Sequence, residues 1–161
     1  MPLSYSKIIK TPESDKTKNP LLQNTRFPHL LPQDVEVWLL FLKSPANIYT
    51  HFDYDVHVGD GRDPGTEYSQ KDRDLGIFLS QRRIDAIGHH STHLAIIEIT
   101  RQAGLKAVGQ LIAYPILYNS KYSPGTQIKP LLVAEEMQTD VLPAFIGYSI
   151  KTLLFKPTPK P

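Results

Sequence analysis

The chain has 161 residues, 40% of them hydrophobic, which is enough for one self-contained core and too few for two ordinary domains. It has no cysteine, which excludes disulfides and thiolate-held zinc, and 18 basic against 16 acidic residues leave a formal charge of +2, too weak a field to draw in a polyanion without a local patch. No apolar run approaches the roughly 20 residues of a membrane helix, and the N-terminus lacks the apolar centre of a signal peptide, so a soluble protein without a membrane partner is expected.

Residues 1–31 mix lysine, proline and small polar residues with little apolar periodicity, and are read as an extended arm. Residues 32–155 are expected to form one domain. A helix is predicted over 32–43, where Val35, Trp38, Leu39 and Leu42 follow the spacing of one buried face and Asp34 and Glu36 suit the positive end of its dipole. Ser44-Pro45 closes it. Strict alternation from Ile48 through Phe52 and Tyr54 to Val58 predicts a half-buried strand. A polar loop is then expected over 59–74, a second strand over 75–88, and a third over 94–100. The run Leu94-Ala95-Ile96-Ile97 is apolar on both faces, as in a central strand.

A helix follows over 104–118, with Leu105, Val108, Leu111, Ile112 and Ile116 as its core stripe and Pro115 expected to kink or shorten its last turn. Residues 131–134 read as a short strand parallel to the third, 140–147 as a brief helix and 148–155 as a last strand. Residues 156–161, Lys-Pro-Thr-Pro-Lys-Pro, form a polyproline-like tail. The expected class is therefore α/β: a mixed central sheet flanked by helices in the order α-β-β-β-α-β-α-β.

Two strands of a hairpin can bring acidic side chains to one point. Asp85 runs into the turn and Glu98 runs out of it, and period-two alternation sets Glu98 and Thr100 on one face. Glu98 interrupts an apolar strand, where an unpaired carboxylate is costly, so a cation, a basic partner such as Arg83 or Lys106, or a hydrogen-bond network is required. Lys106, Gln110 and Tyr114 recur every four residues and share one helical stripe. His89, His90 and His93 lie in a short turn without cysteine or acidic companions at zinc spacing, and are read as a solvated turn.

These residues resemble the PD-(D/E)XK nuclease superfamily. Asp85 matches the family's acid, Glu98-x-Thr100 its Glu-x-Lys, and Gln110-x-x-x-Tyr114 its Gln-x-x-x-Tyr. The resemblance covers most of the chain after the arm and implies a restriction-endonuclease-like fold. Thr100 stands where the lysine belongs and carries no charge. Two functions follow from the resemblance. The favoured expectation is a non-catalytic structural or assembly protein on a lapsed nuclease core, without a cofactor, held among other subunits by its terminal arms, as in a phage particle. The alternative is a DNA nuclease dependent on Mg²⁺ or Mn²⁺, in which Asp85 and Glu98 hold the metal, Lys106 replaces the missing lysine, and Gln110 and Tyr114 complete the site. A cytoplasmic location or one within a virus particle accompanies either.

Overall fold

The computed structural model describes residues 8–9, 27 and 29–158. Residues 1–7, 10–26 and 28 of the expected arm, and 159–161 of the expected tail, lie outside these. The strands are β1 (Ile8–Ile9), β2 (His51–Val58), β3 (Arg82–His89), β4 (His93–Ala103), β5 (Gln127–Met137) and β6 (Lys151–Leu154). They form one sheet in sequence order: β1 to β4 are successively antiparallel, and β5 and β6 continue parallel to β4. The helices are α1 (Pro32–Lys43), α2 (Gln70–Ser80), α3 (Leu105–Tyr122) and the short α4 (Leu142–Gly147), which follows a 3-10 turn at Thr139–Val141. The chain thus adopts the mixed sheet flanked by helices that the resemblance implies.

The sheet is covered on both faces. On one, α1 lays Val35, Val37, Trp38 and Phe41 over Phe52, Tyr54, Ala86, Ile97, Ile99 and Val133. Trp38 anchors this layer: it stacks on Phe41 at 4.9 Å, meets Phe52 edge-on at 5.0 Å, and donates its indole N–H to the Tyr54 hydroxyl at 3.2 Å. Phe27 and Leu30, from the segment read as arm, are buried in the same layer. On the opposite face Tyr114 and Tyr118 of α3 pack with Ile84, Ile87 and Ile96, while Leu111 packs with Leu132 and Phe145. β4 is buried from His93 to Ile99, as its apolar run predicts.

The segment expected as a loop and a long strand folds differently. Residues 70–80 form α2, and β3 starts only at Arg82. The start signal is Ser69, whose hydroxyl accepts the Asp72 N–H at 3.2 Å. No residue of α2 is fully buried, so its apolar residues leave no core-facing stripe by which a helix is recognised. α3 also differs. It continues past Pro115 to Tyr122, because Tyr118 is buried beyond the proline and Lys121 Nζ and Tyr122 Oη both donate to the His57 carbonyl, at 2.8 and 3.0 Å. Its inward stripe is Ala107, Val108, Leu111, Tyr114 and Tyr118; Leu105 and Ile116, expected in the core, face solvent. β5 is longer than the short strand expected, and β6 shorter.

Candidate active site

The site forms where the sheet splits. β3 and β4 pair from His89↔Leu94 to Ala86↔Ile97 and no further. The next step of that register sets Asp85 opposite Glu98. Beyond it β3 continues alongside β2 to Arg82, whereas β4 continues alongside β5 to Ala103. Backbone N–H groups on the bared edge of β4 would be unsatisfied there, and carboxylates take the place of the missing strand. Asp85 Oδ2 accepts the Ile99 N–H at 2.8 Å, and Asp34 Oδ1, from the first turn of α1, accepts the Arg101 N–H at 2.7 Å. The alternation of residues 99 and 101 is that of one strand edge.

Glu98 projects from the face of β4 opposite Ile97 and Ile99. Ile97 and Ile99 pack against the α1 layer and Ile96 against α3, so Glu98 points toward α3. It is 7% exposed, and its Oε2 is buried with no hydrogen-bond partner among the described residues. Burial, then the neighbouring Asp85 charge, push its carboxyl up to about 9; the Lys106 ammonium and the Gln110 amide act the other way. Burial likewise raises Asp85, to about 7, against the opposing hydrogen bond from Ile99. Asp34 is raised by burial too, and the charge of Lys106 acts on all three acids.

The sequence-derived residues are therefore brought together. Lys106, exposed in the first turn of α3, stands in the field of the acids, and Arg83 does not fill that role because it is paired with Asp55. Gln110 Nε2 donates to the Tyr114 hydroxyl at 3.0 Å, while Gln110 Oε1 is buried without a partner. Tyr114 belongs to the core on this face rather than to a purely polar stripe. The Thr100 hydroxyl donates to the Gln102 carbonyl at 3.4 Å.

Two groups were not legible as site residues. Asp34 reads in sequence as a helix-dipole residue, and only the fold carries it to β4. His29 Nε2 lies 2.9 Å from the Asp85 carbonyl. The histidines of the β3–β4 turn also depart from a solvated turn, since His93 is buried and His89 Nε2 lies 2.8 Å from Asp53 Oδ2. Among the described residues, no three Asp, Glu, His or Cys side chains are placed to hold a metal together. A Mg²⁺-type ion needs no such cage, because one or two carboxylates with water and substrate oxygens complete its shell. The hard oxygen donors of Asp85 and Glu98, and the unpartnered Glu98 Oε2, fit an ion of that kind. No helix among the described residues is long and apolar enough to cross a membrane.

No family model matches the chain, nor does any curated protein. Among solved structures it is similar to a repair endonuclease from Pyrococcus abyssi, at 17% identity and a TM-score of 0.48 over 81% of this chain and 50% of that one. It is also similar to EndoMS in complex with dsDNA, at 17% identity and 0.47 over 81% and 48%, and to EndoMS in its apo form, at 18% and 0.45 over 79% and 47%. The chain spans about half the length of these proteins.

Proposed function

We propose that this chain is a divalent-metal-dependent phosphodiester hydrolase acting on DNA, in preference to the lapsed core expected from Thr100. The observation that carries the reading is the buried Glu98 carboxylate opposite Asp85 at the fork, whose Oε2 has no partner among the described residues and whose one side-chain hydrogen bond comes from Gln110. A carboxylate so placed disfavours its own ionisation, and a core that had lost its chemistry would be stabilised by replacing it with an apolar residue. Asp85 and Glu98 are the residues that would hold the ion. When bound, the ion supplies Lewis-acid polarisation of a phosphoryl oxygen and a lowered pKa for a coordinated water.

The remaining work belongs to the protein's own groups. Lys106 brings a positive charge to the acids from α3, a position from which charge developing on the phosphoryl group can be stabilised. Gln110 Oε1 offers a fixed acceptor for a water or a nucleotide N–H, and Tyr114 orients that amide. DNA is the substrate class that the family resemblance suggests.

The test is cleavage of supercoiled plasmid and of single-stranded DNA with Mg²⁺ or Mn²⁺, by the wild type and by Glu98→Ala and Asp85→Asn. Metal-dependent cleavage lost in both variants is expected. Cleavage that is absent in the wild type, or unchanged in Glu98→Ala, refutes the reading. The lapsed-core reading retains one specific support: Thr100 has no charge and its hydroxyl bonds elsewhere. It calls for no cleavage together with migration of the native chain far above 18.2 kDa, as part of an assembly of protein subunits.

A further inference from the structure

The fork is held open on both sides by one short segment. Phe27 seats its ring edge-on to Tyr54 at 4.9 Å and Leu30 is buried beside it, with the Leu30 N–H donating to the Phe27 carbonyl at 3.1 Å. Between these anchors His29 reaches β3, where its Nε2 meets the Asp85 carbonyl. A few residues on, Asp34 reaches β4, where it accepts from Arg101. One prong of the fork is thus tied to His29 and the other to Asp34.

A carbonyl oxygen only accepts, so the bond requires the proton on Nε2 and leaves Nδ1 as a bare acceptor. His29 Nδ1 is indeed buried with no donor among the described residues. The arrangement is what is expected when the imidazole is retained for its single N–H and not for packing alone, since an apolar residue of similar size would leave no stranded lone pair. Pairing of β3 with β4 stops one residue before Asp85, so on that side no strand holds this peptide, while β2 pairs with its neighbours Ala86 and Ile84. The His29 bond restrains the Asp85 carbonyl, and together with the Ile99 N–H on Oδ2 it sets how the side chain leaves the strand.

We infer that His29 is a positioning residue for the metal-binding pair: by donating from Nε2 to the Asp85 carbonyl it fixes the Asp85 main chain at the fork, and the cation affinity of Asp85 and Glu98 depends on that one N–H. The inference rests on the proposed function, in that the ion is the one assigned there to Asp85 and Glu98. It adds a group that is neither an acid nor part of the Gln-x-x-x-Tyr stripe.

The test is Mn²⁺ binding by the full chain, followed through the EPR signal of free Mn²⁺, for the wild type, His29→Leu and His29→Gln, with thermal melts of each. Residues that orient metal ligands commonly change affinity about 10- to 100-fold when removed. A loss of that size is expected for His29→Leu. His29→Gln, whose amide N–H can take the place of Nε2–H, is expected to bind within a few-fold of the wild type. Equal binding by wild type and His29→Leu overturns the inference, as does an equal loss in both variants, which would mark the imidazole as simple filling. If His29→Leu does not fold, the histidine ¹⁵N–¹H correlation of the wild type decides: a proton on Nε2 is required, and the Nδ1–H form overturns the assignment. Failure of the wild type itself to bind Mn²⁺ would remove the metal site and this inference with it, whereas cleavage without any effect of His29 would remove the inference alone.

Discussion

Replacing Glu98 by glutamine removes a group whose charged form the fold disfavours while keeping the shape of the side chain. In the metal-free protein Glu98 ionises near 9, against 4.5 for the same group in an unfolded chain. Between those values the unfolded state releases a proton that the native state keeps, so native stability declines as pH rises from 4.5 toward 9 and is unaffected by this group below 4.5. At about pH 7.5 the interval above 4.5 spans roughly three pH units at about 1.4 kcal/mol each, which sets a ceiling of about 4 kcal/mol. The field is shared with Asp85 and Asp34, so the gain on substitution should fall below that ceiling, at about 1–3 kcal/mol. Urea unfolding in EDTA at a series of pH values measures it. Wild type and Glu98→Gln should unfold alike near pH 4.5 and separate progressively to pH 8, the variant being the more stable. Millimolar Mg²⁺ should recover most of the difference in the wild type and little in the variant, because a ligand that binds only the native state stabilises it. Parallel stability curves across this range, or equal Mg²⁺ stabilisation of both proteins, would refute the account of Glu98 as a buried acid with one oxygen left for a cation.

The migrated cation is tested by Lys106→Ala, expected to lower kcat about 100- to 1000-fold, the usual scale for one lost transition-state contact; Thr100→Lys in that background should restore part of the rate, and an unchanged rate in Lys106→Ala would exclude the assignment. In the core, Trp38→Ala should destabilise by about 3–5 kcal/mol and Trp38→Phe by less, read from urea midpoints, because Trp38 is fully buried between Phe41, Phe52 and Tyr54.

How far the sequence carries depends on how local the cause is. Alternation along β2 and the unbroken apolar run of β4 are properties of the chain itself, and both strands form there, although β2 starts at His51 with Ile48 left exposed and β4 runs on to Ala103. Asp85 and Glu98 were legible as a pair because a hairpin with a short turn fixes its own register. α2 was not, since its apolar residues bury no common face and the Ser69 cap was the one local signal. The passage of α3 through Pro115 depends on Tyr118, Lys121 and Tyr122 meeting β2, contacts that no window of sequence contains.

The amino-acid order alone determined the mixed sheet and the acid pair, because each follows from spacing along one or two adjacent elements. Tertiary structure alone decided that the sheet opens at Asp85, that Asp34 and Asp85 take over bare N–H groups of β4, and that His29 reaches the Asp85 carbonyl. Those contacts join residues 14 to 67 positions apart. What places them is the packing of α1 and its preceding turn on one face of the sheet, a consequence of burying Phe27, Leu30 and Trp38 together.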